Sequence, residues 1–234
     1  MGEEGNVIPR FLGRLGLADY VTTANAALGF LAAVAATMDV GIAARLLLLA
    51  AIMDALDGII ARKYGSTPAG VYLDSLADVA SFGVAPAFLV SYTVLSEWGM
   101  DEPKALIGIA IGAVFVALAV VRLGLYNAYD IGTKETEGVQ TTLAATILAA
   151  AVLAGYTAPA FLVPLTALLA VLMVTPITYP DLHPQDAAVM GIVQVLAIVL
   201  TGQPGEVFAF ALLFLSLAYL LFGPRFYWQD HLDL

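Results

Sequence analysis

Four carboxylates, Asp54, Asp57, Asp74 and Asp78, sit inside sequence that is otherwise apolar, with Gly58, Ala61, Arg62 and Gly70 at fixed intervals between them. An ionisable group at membrane depth costs roughly 2.5–3.5 kcal/mol even on a lenient insertion scale, so its presence points to function. On a helix, Asp54, Asp57, Gly58 and Ala61 fall at i, i+3, i+4 and i+7, which is one stripe of one face, and Arg62 follows at its rim. Gly70, Asp74 and Asp78 fall at i, i+4 and i+8 of the next helix. Only Lys63 to Ala69 join the two, so the helices are expected to be antiparallel neighbours. The four carboxylates then converge.

Like charges at that spacing repel, and only two basic residues, Arg62 and Lys63, stand nearby. A divalent cation resolves the conflict, and hard oxygen ligands suit Mg²⁺ or Mn²⁺ rather than zinc. Four carboxylates can hold two such ions in the arrangement that clamps phosphoryl chemistry. Gly58, Ala61 and Gly70 leave room for a ligand against the helix backbones, and Arg62 can grip a phosphate with two hydrogen bonds. Asp54 lies about 13 Å along the helix axis from Lys63, so the pocket sits within one leaflet. It admits a lipid tail from the side and water-soluble groups from below, which suits an enzyme joining a lipid to a polar molecule. Helix packing or proton relay explains neither the spacing nor the small residues. A divalent-cation transporter is the reading from another class, although the spans lack the paired repeat with broken helices that transporters use.

The elements that must carry this site are membrane helices. The chain has 234 residues, 61% apolar and 12% charged, with a mean hydropathy of +0.92. Apolar stretches at 20–37, 45–64, 70–95, 104–125, 140–156, 158–175, 187–201 and 206–222 predict eight spans, and backbone satisfaction in hydrocarbon makes them helices. The expected fold is an all-α bundle, a six-helix catalytic core plus two, forming one membrane domain over residues 1–234. Residues 45–95 form the catalytic helix pair and 1–19 a cytoplasmic juxtamembrane segment. Within residues 7–17, Val7, Ile8, Phe11, Leu12 and Leu15 with Arg10 and Arg14 suit either a surface-lying stretch or an ordinary flank. No cleavable leader is read at the N-terminus. With the N-terminus inside, Arg10, Arg14, Arg62, Lys63, Arg122, Lys134 and Arg225 are cytoplasmic, against Arg45 and Lys104 outside. That bias places both termini and the active site at the cytoplasmic face of the plasma membrane.

Net charge is −10, from 19 acidic and 9 basic residues. Such a surface repels nucleic acid and anionic headgroups. Abundant salt screens it, which points to a halophilic source. The absence of cysteine excludes disulfides, thiolate metal sites and cysteine nucleophiles. His183 and His231 stand apart from the carboxylates and are read as surface residues. Gly108 and Gly112 form a close-packing pair, Ser81 to Pro86 predicts a kink in the third span, and Trp98 and Trp228 suit interfacial anchors.

The run Asp54, Asp57, Gly58, Ala61, Arg62, Gly70, Asp74, Asp78 resembles the signature of the CDP-alcohol phosphotransferase family at all eight of its positions. The stretch Leu73–Asp78 with Ser81–Pro86, and Thr22, Thr23, Asn25 and Gly29 in the first span, are similar to the phosphatidylserine synthase branch. With the acidic composition, this suggests an archaeal member of an archaetidylserine synthase type. The resemblance implies Asp54, Asp57, Asp74 and Asp78 as ligands of two Mg²⁺ or Mn²⁺ ions, with Asp78 also the general base. It implies a CDP site lined by Asp57, Gly58, Ala61, Arg62, Ser66 and Gly70. The donor would be CDP-archaeol or CDP-diacylglycerol, the acceptor L-serine, the leaving group CMP, and the working unit a homodimer among membrane lipids. Two departures fall where the acceptor should bind. Arg122 is followed by Leu123, Gly124 and Leu125 where that branch often carries a second arginine, and Gly138-Val139-Gln140 replaces a Gly-Leu-Pro. Arg122 and Asn127 are the acceptor candidates. Inositol phosphate and glycerol phosphate are the rival acceptors, and the short supply of cytoplasmic cations favours a zwitterion over either.

Overall fold

A computed structural model describes residues 12–130, 135–180 and 182–226 of the chain. Residues 7–11 of the expected surface stretch lie outside the described residues, as do Lys134, Asp181, Trp228 and His231. Leu12–Arg14 form one 3-10 turn before the first long helix.

Among the described residues the chain forms eight helical rods, in chain order α1 Leu17–Ala36, α2 Val40–Tyr64, α3 Gly70–Trp98, α4 Pro103–Leu125, α5 Thr141–Leu153, α6 Pro159–Leu172, α7 Pro184–Val199 and α8 Gly202–Phe226. All eight expected segments are present, and the protein is an all-α membrane protein. Four stretches are long and apolar enough to cross a bilayer: Leu17–Ala36, Gly70–Trp98, Pro103–Tyr129 and Gly202–Phe226. Helix α2 matches them in length but carries the site's charges. Large apolar side chains such as Phe30, Ile107, Phe214 and Leu221 are exposed on the outside of the bundle, as lipid-facing surfaces require.

Local sequence explains the helix ends. Asp39 caps α2 by accepting from the Gly41 and Ile42 amides at 2.7 and 3.0 Å. Prolines open α4, α6 and α7 at a position where no amide is needed. The kink expected around Ser81–Pro86 takes the form of a π-helical turn, Val79–Val84, after which α3 resumes as α-helix at Ala85. The expected start of the second span shifts as well. Arg45 lies within α2 rather than in a flank, and its guanidinium donates to the Ile198 carbonyl and, at 2.8 Å, to the Leu200 carbonyl. The arginine therefore satisfies backbone groups at the end of α7 instead of marking a loop.

Packing converges on α5. This short alanine-rich helix is buried along almost its whole length, from Thr141 through Val152, and so has no lipid-facing side. Gly108 and Gly112 of α4 face α3, where a Cβ would come within 2.9 Å of Val94 and 2.7 Å of Ser91, the close approach their spacing suggested. At one end of the bundle, the α4–α5 and α6–α7 connections join as a two-stranded antiparallel sheet, β1 Glu135–Glu137 and β2 Thr178–Pro180. Tyr219 of α8 donates to the Pro180 carbonyl at 2.6 Å and Tyr179 donates to the Leu220 carbonyl at 3.2 Å, which anchors the sheet to the bundle. Thr136 of β1 lines the same cavity as Arg62 at the end of α2 and Asp74 on α3.

Candidate active site

The helix-face expectation brings the carboxylates together. Asp54, Asp57 and Asp74 each offer a carboxylate oxygen, and these oxygens lie within 4.8 Å of one another. Asp78 lines the same cavity as Asp54 and Asp74, and its Oδ1 has no hydrogen-bond partner. Asp57 and Asp78 are buried, and Asp54 and Asp74 are partly so.

A cavity of about 330 Å³ opens on this cluster, and Asp54, Arg62, Asp74, Asp78 and Arg122 all line it. Two cations thus face three of the four acids in this cavity, Asp57 lying outside its lining. Carboxyls this close must share protons or a metal, and an all-oxygen set with an unpartnered oxygen on Asp78 fits a hard divalent ion. The cluster can hold such a metal.

Other sequence candidates occupy supporting positions. Gly58 lies against the Arg62 guanidinium, which a Cβ would approach to 3.5 Å. Ala61 is half-buried, and Ser66 is exposed in the α2–α3 connection. Gly70 packs on Asp19. None of Gly58, Ala61, Ser66 or Gly70 lines the cavity that holds Arg62. Asn127 lies behind the cavity wall, where its amide donates at 2.7 Å to Ser75 Oγ, and Ser75 lines the cavity. Arg122 is buried near the end of α4, beside the ring of Tyr126. After it the helix widens into a π turn, Tyr126–Asp130.

Several residues at the site had no site role assigned from the sequence, although Thr22 and Asn25 belong to the family-like stretch of the first span. Thr22 donates to Asp57 Oδ2 at 2.5 Å, and Thr142 donates to Asp54 Oδ2 at 3.4 Å. Asp19 is buried at the start of α1 and accepts from Thr67 Oγ1 and the Gly16 amide, both at 2.8 Å. It ties the α2–α3 connection to α1. Thr136, Gln140, Thr141 and Thr142 form the far wall of the cavity, so the N-terminus of α5 points its free amides into an acidic chamber. Asn25 is buried on α1 with both side-chain polar atoms unpartnered, and its carbonyl accepts from Ser81 at 2.8 Å. A second, largely apolar cavity of about 620 Å³ runs from Asp54 and Thr142 between α2, α5 and α7, rimmed by exposed Leu56, Ile192 and Val195.

A buried carboxylate cluster, two arginines and an adjoining apolar groove on an all-helical membrane bundle define a class of lipid-modifying transferase. The chain belongs to the CDP-alcohol phosphatidyltransferase family, whose match covers residues 15–202. It is similar to the archaetidylserine synthase of Methanothermobacter thermautotrophicus, with 31% identity over 74% of this chain and 73% of that protein. It is also similar to the CDP-diacylglycerol–serine O-phosphatidyltransferase of Methanocaldococcus jannaschii, 38% identical over 47% of this chain and 50% of the relative. The enzyme of the same name from Helicobacter pylori is 35% identical over 56% of each chain.

Proposed function

We propose that this protein transfers the phospholipid phosphoryl group of a CDP-activated lipid to the hydroxyl of L-serine and releases CMP. The observation that carries the proposal is the single cavity onto which Asp54, Asp74, Asp78, Arg62 and Arg122 all open. Asp54, Asp57, Asp74 and Asp78 would hold two Mg²⁺ or Mn²⁺ ions. When bound, these supply neutralisation of the diphosphate and of the oxygen that departs with CMP.

The chain's own residues do the rest. Arg62 pairs with the donor's phosphates, and the small residues Gly58, Ala61 and Gly70 leave the helix surfaces free for the nucleotide. Asp78 accepts the serine hydroxyl proton. The serine oxygen forms its bond to the lipid-side phosphorus as the bond from that phosphorus to the bridging oxygen breaks, and the bridging oxygen leaves as part of CMP. The α5 N-terminus faces the same charge. The donor's chains lie in the apolar groove between α2, α5 and α7. Arg122 holds the serine carboxylate, and Asn127 braces the wall beside it.

Similarity to an archaetidylserine synthase favours CDP-archaeol as the donor over CDP-diacylglycerol. The distribution of lysine and arginine favours a plasma-membrane protein with its termini and site in the cytoplasm, and the family resemblance favours a homodimer.

Purified protein given CDP-archaeol or CDP-diacylglycerol with Mg²⁺ or Mn²⁺ is expected to release CMP when serine is added. Release with inositol phosphate or glycerol phosphate and none with serine overturns the acceptor. No release with any acceptor, together with metal-ion flux into proteoliposomes, establishes the transporter instead.

A further inference from the structure

Arg122 lines two cavities. One holds the aspartates; the other, also of about 330 Å³, lies beyond it and shares Arg122 and Tyr126. Glu137, Tyr129, Thr175 and the Met173–Pro176 turn complete this outer chamber. Its position follows from strand geometry. Successive side chains of a strand point to opposite faces, and here Thr136 lines the inner cavity while Glu137 lines the outer one.

The backbone fixes that alternation. Glu137 pairs with Thr178 in the sheet, and the next residue, Gly138, has a φ of +73° and donates to the Ile177 carbonyl at 2.8 Å. A Cβ at Gly138 would run into the Met173 carbonyl. The chain therefore passes against the 172–177 turn with Glu137 held at the chamber wall. Opposite charges then face one small chamber, a guanidinium from α4 and a carboxylate from β1.

We propose that this outer chamber is the amino-acid subsite for the acceptor. Arg122 receives the α-carboxylate, Glu137 receives the α-ammonium, and the hydroxyl arm turns toward the aspartate cavity. The assignment rests on serine being the acceptor and extends it to the group that distinguishes serine from a plain hydroxy acid. It also gives a reason for excluding phosphorylated alcohols, whose added negative charge would stand against Glu137.

The test compares L-serine with 3-hydroxypropanoate, which keeps the hydroxyl and carboxylate and lacks the amine, in CMP-release assays on the full chain. Glu137→Gln is expected to raise the KM for serine about fivefold, the upper range for a pair that water reaches. KM for the CDP-lipid and the thermal midpoint stay unchanged, and 3-hydroxypropanoate is used as before, so the preference for serine shrinks. Glu137→Asp is expected to recover part of the loss. A serine KM within twofold of the wild type in Glu137→Gln, or an equal loss for both acceptors, overturns the subsite. A wild-type protein that releases CMP only with another acceptor overturns the serine reading itself, and the subsite with it.

Discussion

The Asn127 amide donates to Ser75 Oγ at 2.7 Å, linking the π-helical end of α4 to the residue that directly follows Asp74 on α3. Arg122 and the aspartates are thereby held in one frame. Removing either partner alone, as Ser75→Ala or Asn127→Ala, should lower kcat/KM for serine. A double-mutant cycle should return a coupling of about 1 kcal/mol, typical of one partly buried hydrogen bond. Strictly additive losses would assign the two residues separate roles.

Metal dependence should be complete. Chelation is expected to abolish CMP release, and Mg²⁺ or Mn²⁺ to restore it. Asp54→Asn and Asp74→Asn should each cost at least about 100-fold in turnover. Thr22→Val, which removes only the partner of Asp57, should fall within the roughly 10–100-fold loss of metal affinity seen for groups behind a ligand. Metal titrations of activity separate the two cases, since excess metal rescues the threonine variant and leaves the aspartate variants impaired.

Asp78→Asn keeps the shape of the side chain and removes its capacity to take a proton. A loss of about 10²–10⁴-fold in kcat is expected, the usual worth of a general base. Thermal stabilisation by the CDP-lipid should survive the change. Near-normal turnover in this variant would move the base elsewhere.

Gly138→Ala should destabilise the join between β1 and the 172–177 turn without touching the aspartates. A positive φ and a blocked Cβ together are expected to cost about 1–3 kcal/mol. That corresponds to a fall in thermal midpoint of several degrees for a chain of this size, about 2–4 °C per kcal/mol. An unchanged midpoint in detergent would mean that the 172–177 turn gives way freely.

The eight helices were legible because each contains an apolar run bounded by polar residues or helix breakers, and the aspartate cluster because its spacing is that of one helix face repeated on two adjacent helices. Both are local signals. Asp19, Thr136 and Thr142 were illegible for the opposite reason: each reaches the site from an element distant in sequence, and a threonine or a first-turn aspartate resembles ordinary helix punctuation. The two three-residue strands left no alternation to read. Arg45 was placed in a flank because a charge usually marks a helix end; the end it marks belongs to α7. The acceptor side was least legible, since Arg122 acquires its neighbours only when β1 folds over the α4 terminus.

With the donor's chains in the groove between α2, α5 and α7, as proposed, its hydrocarbon would stay inside the bilayer throughout the reaction. Lifting a chain into water costs about 0.8 kcal/mol per methylene, and a catalyst that never does so has no need to recover that work. Substrate and lipid product can therefore exchange by lateral diffusion alone. Because the tails change surroundings so little, their length and branching supply little discrimination, and selection falls on the polar headgroups that must cross into the cavity.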